Sequence, residues 1–255
     1  MRDLLLAVPS RGRPVNISRL LGELREHNRG DTQLVLGLDE DDPTLPQYLA
    51  LDMPDVEVVI RPNLHQVVAW MNELIVPRAK DYRFVGSIGC DNSIQTPGWD
   101  VRIMEALSKP DIMFAFGNDL YPREPGSLCC HVFCRSSVVA SLGYFAWPGV
   151  THMYCDPIWM AWGKATGIEY LDDVIIEHLH YSVGKAAMDV SYMDSTALIP
   201  ADCLAYNRYC QTQLNEDIAK IRAGAQGFTE DELIRFNYDL NIPPVFGGPK
   251  IEPRS

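Results

Sequence analysis

Short apolar runs alternate with helical patterns through the first half of the chain. Four runs of five to eight residues have the length and composition of buried strands: "DLLLAV" (3–8), "QLVLGL" (33–38), "VEVVI" (56–60) and "YRFVGSIG" (82–89). Between them, apolar residues recur at helical spacing at Ile17, Leu20, Leu21 and Leu24, and again at Leu64, Val67, Val68, Met71, Leu74 and Ile75. This alternation predicts an α/β fold with a mainly parallel, Rossmann-like sheet flanked by helices.

The second half is less regular. Two further strands are predicted at "DIMFAF" (111–116) and "LCCHVFC" (128–134), a helix at "DPIWMAWGKATG" (156–167), and a late strand at "YLDDVIIEHLH" (170–180). From residue 186 the pattern is helical and polar, and the last residues, "IPPVFGGPKIEPRS" (242–255), read as irregular. We therefore expect an α/β domain over residues 1–185 and a helical appendage with an irregular tail over 186–255.

Composition narrows the class of protein. The chain has 255 residues, 47% of them hydrophobic, which is enough for a large core. Its formal charge of −12 argues against general electrostatic binding to nucleic acid or to an anionic membrane. The run Leu4–Val8 is too short for a signal sequence or a membrane span. Seven cysteines without a CxxC pair indicate free thiols in a reducing cytosol, so the expected location is cytoplasmic, in the host if the chain is viral.

Three turns follow predicted strands and should share one edge of the sheet. They are residues 9–13, 39–42 and 89–93, and open α/β sheets bind ligands beyond the carboxyl ends of their strands. Asp91 in the third turn suits a hard cation that also holds phosphate oxygens. It equally suits an ordinary turn, because Asp and Asn side chains bond the nearby backbone.

Two histidines near the end of the late strand favour the metal interpretation. On a strand, His178 and His180 would project from the same face. An isolated pair of this kind is more often structural, but with Asp91 on a nearby strand end a shared metal becomes the favoured reading. One carboxylate with imidazole suits Mn²⁺ or Mg²⁺ completed by phosphate, and tolerates Zn²⁺.

Asp156 is the candidate general base. Its position before Pro157 and an apolar run predicts a helix N-cap with proline at the first helical position. A capping carboxylate at this edge can also face a substrate. The helix N-terminus holds such a carboxyl group at low pKa, so it needs a pocket to act well as a base.

Other candidates are individually weaker. The cations Arg11, Arg13, Arg61 and Lys185 could face a diphosphate, although each alone is more often a surface charge. The acids of 39–42 could contact a ribose or base, or simply be solvated. Three tryptophans could form a sugar-stacking platform or belong to the core: Trp147, Trp159 and Trp162. The chain has no dinucleotide fingerprint, Walker A motif or GxSxG elbow.

In this order, the motifs resemble those of GT-A glycosyltransferases, closest to the inverting family-2-like enzymes that include bacteriophage members. The matching segments span residues 3–190: "VPSRGRP", the acids after the second strand, "FVGSIGCDNSIQTPGWD", "THMYCDPIW" and "IIEHLHYSVGKA". The resemblance implies a hexosyltransferase-like enzyme that uses a nucleotide-diphosphate sugar, with a UDP-sugar as the expected donor, and a divalent metal. The acceptor is unknown; a modified DNA base, a virion protein and a small molecule are all candidates, and no membrane is involved.

The resemblance also implies roles for individual residues. Cys90 and Asp91 occupy the two acid positions of the metal motif, with Asp91 as the direct ligand and either His178 or His180 completing the site. Asp156 would be the base, and Asp39 or Asp41 would contact the nucleobase. The turn formed by Pro9, Ser10 and Arg11 would contact the nucleoside.

Cys90 departs from the family pattern. A neutral thiol in an acid position removes negative charge, and loss of such a supporting group costs about ten- to a hundredfold in metal affinity. Two other functions therefore remain open. One is a non-catalytic GT-A-like nucleotide-binding protein. The other is a metal-dependent hydrolase or nucleotidyltransferase that uses Asp91, His178 and His180, which would be expected to carry more carboxylates.

Overall fold

An eight-stranded sheet forms the centre of the molecule. The computed structural model describes residues 2–62, 64 and 66–224, so the predicted irregular tail lies outside the described residues. The strands are β1 (Arg2–Ser10), β2 (Thr32–Asp39), β3 (Glu57–Arg61), β4 (Tyr82–Ser87), β5 (Asn92–Ile94), β6 (Phe114–Asn118), β7 (Val132–Arg135) and β8 (Ile168–His178). Their order across the sheet is β3-β2-β1-β4-β7-β6-β8-β5.

The sheet is parallel where the sequence alternates most regularly. β1 pairs in parallel with β2 and β4, and β2 with β3. β7 enters antiparallel to both neighbours, and β5 pairs antiparallel with β8. The predicted strand–helix alternation in the first half is confirmed, whereas the sequence pattern did not reveal the three-residue β5, which is too short to carry a periodic signal.

Helices cover both faces of the sheet. They are α1 (Pro14–His27), α2 (Leu45–Leu49), α3 (Val67–Ile75), α4 (Trp99–Ser108), α5 (Ser136–Leu142), α6 (Cys155–Thr166), α7 (Val190–Thr212) and α8 (Leu214–Gly224). Successive residues of β1 face opposite sides: Leu4 and Leu6 pack with α1, α2 and α4, while Leu5 and Ala7 pack with α3, α5 and α6. Each strand therefore separates two apolar cores, which explains its continuous hydrophobic run.

The two last described helices pack on the same core as α5 and α6. Tyr206, Tyr209, Leu214, Ile218 and Ile221 are buried there. Asp189 begins α7 as an N-cap whose side chain accepts a hydrogen bond from the Tyr192 amide at 3.0 Å. The predicted helical character after residue 186 agrees with these two helices, and the domain boundary at residues 185/186 stays a prediction.

Candidate functional site

The loop after β1 is fastened to the acidic turn after β2. Arg11 Nη1 lies 2.7 Å from Asp41 Oδ1 and 3.3 Å from Asp39 Oδ2. The amide of Gly12 donates to Asp42 Oδ2 at 2.7 Å. The predicted meeting of these two turns at one edge is confirmed, and three of the acids serve to hold the loop in place.

Asp39 and Asp41 differ in how exposed they are. Asp39 is buried, and its two oxygens contact Trp70 Nε1 at 3.0 Å and Arg11 Nη1. The Asp41 side chain is 48% exposed. A nucleobase contact therefore suits Asp41 better than Asp39, although that role stays a prediction for both.

Pro9 and Ser10 end β1 beside this loop. Pro9 lies opposite Gly37 in the parallel ladder. Ser10 Oγ is 2.8 Å from the Tyr48 hydroxyl, which also accepts a hydrogen bond from the Arg13 amide at 2.7 Å. Burial raises the pKa of Tyr48 to about 12, so the phenol stays protonated and can donate to Ser10. This chain of bonds fixes where the backbone turns towards Arg13.

Asp91 follows β4 in a tight turn. Asn92 closes the turn, since its amide donates to Gly89 O at 3.0 Å and its Oδ1 accepts from Gly89 N at 2.7 Å. β5 then begins at Asn92, which lies opposite His178 in the antiparallel ladder. The Leu179 amide donates to Asp91 O at 2.9 Å. The turn interpretation is therefore confirmed. The turn also delivers Asp91 to the end of β8, and the site interpretation stays a prediction.

The Asp91 carboxylate is held between cations and hydrogen-bond donors. Its Oδ2 lies 2.8 Å from Tyr192 Oη, 3.4 Å from Arg13 Nη1 and 3.5 Å from His178 Nε2. Burial by itself would raise the pKa of Asp91, but bonds and charge from His178, Arg13 and Tyr192 lower that pKa well below its usual range. The same carboxylate raises the pKa of His178 against the effect of burial. Asp91 is therefore ionised.

Arg13 places a positive charge beside Cys90, the thiol that stands where the family pattern has an acid. Its guanidinium lies 3.9 Å from Cys90 Sγ, stacks over the Tyr192 ring at 4.0 Å, and bonds Asp189 through Nε at 2.8 Å and Nη2 at 2.9 Å. Burial and the neighbouring Asp91 raise the pKa of the Cys90 thiol, which therefore stays neutral. Arg13 therefore places a positive charge beside both Asp91 and Cys90.

The donor set suits a divalent ion only in part. An ionised carboxylate beside imidazole is chemically suited to Mn²⁺. Over the part of the chain that the structure describes, no three His, Cys, Asp or Glu side chains are arranged to hold a metal. If an ion binds here, Asp91 and His178 would provide two ligands, and oxygens of a bound diphosphate would have to provide others. An ion at Asp91 Oδ2 would displace Arg13 and Tyr192.

His180 does not stand beside His178 on a strand. β8 ends at His178, and His180 precedes a short 3-10 turn in which its Nδ1 lies 2.7 Å from Ser182 Oγ. The prediction that both imidazoles project from one strand face is therefore wrong. The two rings remain neighbours, with centroids 5.1 Å apart.

Asp156 lies in the first turn of α6, after Cys155, rather than at its N-cap. The N-cap is Tyr154, a non-glycine residue with φ of 69°, so the predicted cap was placed two residues too late. Burial raises the pKa of Asp156 to about 6, although a Cys130 hydrogen bond and the charge of His178 act in the opposite direction. The low pKa expected from the helix N-terminus is overturned because desolvation outweighs it. A carboxyl group that titrates near neutrality is suited to accept a proton.

Sequence reasoning missed the residues that surround Asp156. Arg123 pairs with Asp119 and donates through Nη2 to Cys130 Sγ at 3.3 Å. Cys130 in turn hydrogen-bonds Asp156. The backbone of Asp119 also accepts from the His178 amide at 2.9 Å. These residues come from the loop after β6 and the approach to β7, where no motif marks them.

The two remaining cations predicted to contact a diphosphate, Arg61 and Lys185, pair with acids other than Asp91. Arg61 ends β3, three strands from β4, and its Nε lies 2.8 Å from Glu73 Oε1 on α3. Lys185 pairs with Glu177 at 2.6 Å and donates to Leu120 O at 3.1 Å. Neither geometry directs the cation at Asp91, since each already neutralises a local acid.

The tryptophans belong mainly to the core. Trp159 and Trp162 are 4% and 0% exposed, and Trp147 packs against Tyr209 with centroids 4.4 Å apart. The core interpretation of their helical spacing is confirmed for Trp159 and Trp162, so they offer no open face to a sugar.

The chain has the GT-A fold of nucleotide-diphospho-sugar transferases. It resembles TarS residues 1–349 from S. aureus in complex with UDP, with a TM-score of 0.58 at 12% identity over 86% of this chain and 70% of that one. It also resembles the mannosyltransferase PcManGT from Pyrobaculum calidifontis in complex with GDP-Man and Mn²⁺ (TM-score 0.52, 10% identity, 90% and 77% of the two chains). TarS 1–349 with UDP-GlcNAc gives 0.51 at 11% identity over 93% and 76%.

No protein-family model matches the chain, and no curated protein matches its sequence. Among the described helices, none combines the length and apolar character needed to cross a membrane. The expected cytoplasmic location stays a prediction.

Proposed function

We propose that the protein is a hexosyltransferase-like enzyme that moves a sugar from a nucleotide-diphosphate sugar to an acceptor hydroxyl. One observation carries this proposal: two carboxyl groups whose pKa values are shifted in opposite directions both act on His178. Asp91 is held ionised beside Arg13, and Asp156 is buried with a pKa of about 6. An anchor for a charged leaving group beside a group that can take up a proton is what glycosyl transfer requires. The GT-A fold, shared with proteins solved with UDP-GlcNAc and GDP-Man, supports it.

The donor would lie across the carboxyl ends of β1, β2 and β4. The loop at Pro9–Arg13 and the exposed carboxylate of Asp41 would contact the nucleoside, with a UDP-sugar as the expected donor. Asp91 and His178 would hold Mn²⁺ or Mg²⁺, as the Mn²⁺ complex of PcManGT suggests by analogy. When bound, such an ion neutralises charge on the diphosphate.

Asp156 would act as the base in a direct displacement. Its ionised form takes the proton from the acceptor hydroxyl while that oxygen bonds to the anomeric carbon. The bond from that carbon to the diphosphate oxygen breaks on the opposite face, so the product is inverted. Alignment of donor and acceptor supplies much of the rate.

Two alternatives predict different behaviour. The neutral Cys90 thiol and the occupied Asp91 oxygen favour a nucleotide-binding protein without turnover as the second candidate. A metal-dependent hydrolase is weakly supported, because within the described ranges no three-ligand metal group is present.

A thermal-shift screen of UDP- and GDP-sugars, with and without Mn²⁺, tests the donor assignment. We expect one nucleotide sugar to stabilise the protein only when metal is present, and Asp91→Asn to abolish that shift. Asp194→Asn, which makes the same change at an exposed position of α7, should leave the shift intact. A shift that survives in Asp91→Asn contradicts the assignment of Asp91 as the anchor.

Release of nucleoside diphosphate from the stabilising donor tests turnover. Asp156→Asn should keep the shift and reduce release about a hundredfold or more. Binding without release in the wild type would instead support the nucleotide-binding alternative. With an active donor in hand, modified DNA bases and virion proteins are the acceptors to assay first, on the strength of the phage-type motifs.

A further inference from the structure

A buried carboxylate on α7 holds the loop that leads into α6. Asp202 is 2% exposed. Its Oδ1 accepts the Thr151 amide at 2.9 Å, and its Oδ2 accepts the His152 and Met153 amides at 2.9 and 2.8 Å. Three consecutive backbone donors therefore converge on one side chain, which fixes the local path of the chain.

A second α7 side chain, one turn later, supports the same loop. Tyr206 stacks on Tyr154, with ring centroids 5.1 Å apart and planes inclined by 21°. Tyr154 has φ of 69°, a left-handed conformation that is unfavourable for a residue with a Cβ atom. Such a conformation persists only where its surroundings enforce it. Asp202 and Tyr206, four residues apart on one helix face, provide those surroundings.

The loop determines how Asp156 is presented. Tyr154 is the N-cap of α6, and Asp156 lies two residues further on in its first turn. On its other side the loop is tied to α3, since the Val68 amide donates to Thr151 O at 3.3 Å. A change in the conformation of residues 151–154 therefore alters the direction in which α6 leaves and moves the Asp156 carboxyl group.

The same helix also contacts the donor side of the site. Near its start, Tyr192 donates to Asp91 Oδ2 at 2.8 Å. Tyr192 and Asp202 are ten residues apart, a rise of about 15 Å along a helix. α7 thus spans from the ionised carboxylate at β4 to the loop before Asp156.

We propose that Asp202 and Tyr206 are positioning residues that set the place of Asp156 relative to Asp91. Neither is a catalytic residue, because each acts through the loop 151–154. The inference rests on the proposed function, in which Asp156 is the base. It assigns to α7 the task of aligning the proton acceptor with the bound donor.

The first test is Asp202→Asn, which keeps the side-chain shape but replaces one acceptor oxygen with an NH₂ group. Amide hydrogen exchange at one or more of residues 151–153 should become at least about tenfold faster, because the donors that faced the replaced oxygen lose their acceptor. The kcat for release of nucleoside diphosphate should fall by up to about a hundredfold, because a misplaced reacting group can slow a reaction by this factor. The KM for the donor should stay within about twofold, since Asp91 is untouched. Asp194→Asn is the matched control on the same helix.

Unchanged amide hydrogen exchange at residues 151–153 in Asp202→Asn would show that Asp202 does not hold this loop. Faster exchange with unchanged kcat would overturn its role in positioning Asp156. A loss confined to donor KM would place Asp202 on the donor side and also contradict the proposal. If the wild type neither binds nor turns over any nucleotide sugar, the proposed function fails and the positioning role fails with it. The exchange result would then still show whether Asp202 holds the loop 151–154.

Tyr206 provides a second test in case Asp202→Asn folds poorly. Tyr206→Phe retains the ring that stacks on Tyr154 and should keep wild-type kcat. Tyr206→Ala removes the ring and should lower kcat with donor KM unchanged. Equal kcat values in the Phe and Ala variants would overturn the role of the stacked ring.

Discussion

At the scale of single residues, the environment of Asp156 determines its chemistry. Burial raises its pKa to about 6, Asp119 acts in the same direction, and Cys130, His178 and Arg123 act against it. As a base, Asp156 works only when deprotonated. We therefore expect kcat/KM to fall about tenfold per pH unit below pH 6 and to level off above it, measured as nucleoside diphosphate release.

Cys130 offers a way to move that pH profile. Its hydrogen bond lowers the pKa of Asp156, so Cys130→Ala should shift the acid limb to higher pH. Cys210→Ala, which removes a thiol from α7, should leave the limb in place. An acid limb that stays fixed in Cys130→Ala would mean that another group controls the profile.

Gly89 shows how closely the turn that carries Asp91 is packed. A Cβ atom at this position would collide with the Asp91 carboxylate. Gly89→Ala should therefore displace Asp91 and remove the donor-dependent thermal shift. Gly22→Ala in α1 meets no atom within 4 Å and should be neutral or stabilise by up to about 1 kcal/mol. A normal donor shift in Gly89→Ala would show that the turn tolerates a different carboxylate position.

At the scale of elements, α7 covers Asp91 and would compete with a metal ion for its carboxylate. The Tyr192 hydroxyl occupies Asp91 Oδ2, the oxygen that faces His178. Removing this donor in Tyr192→Phe should strengthen Mn²⁺ binding in the presence of nucleotide by up to about tenfold, because a hydrogen bond to a charged group is lost from the metal-free state. Electron paramagnetic resonance of free Mn²⁺ measures this, with Tyr181→Phe as control. Weaker Mn²⁺ binding would show that Tyr192 supports the metal-bound state instead.

Element prediction gave both the helix and its buried face where the apolar pattern was local, whereas for α7 it gave a helix without indicating which face is buried. In α1, the helical spacing of four apolar residues indicates the buried face: Ile17, Leu20, Leu21 and Leu24. The buried residues of α7 are Tyr192, Ser195, Asp202, Tyr206 and Tyr209, so a search for apolar periodicity finds little. Its polar inward face is explained by what it contacts, namely the Asp91 carboxylate and the backbone amides of residues 151–153.

At the scale of the whole molecule, α7 and α8 are packed into the core that α5 and α6 share. Asp217 of α8 is fully buried and accepts hydrogen bonds from Tyr209 Oη at 2.7 Å and from Tyr144. We expect calorimetry to show one unfolding transition for residues 2–224 as a unit. Asp217→Ala should lower its free energy of unfolding by about 1–3 kcal/mol without changing donor binding. Two separate transitions would instead support independent domains divided near residue 186.

The sequence by itself determined most strands, most helices and the loops that carry candidate chemistry. These depend on neighbouring residues and on the rule that parallel strands end at one edge, so Asp91, Arg13 and Asp156 could be found as candidates. Tertiary structure decided their partners and their charge states. Tyr192 meets Asp91 across 101 residues of chain, and burial sets the pKa of Asp156. Long-range packing and desolvation leave no periodic trace in the chain, which is why "GCDN" read alone could not show that Arg13 and α7 complete it.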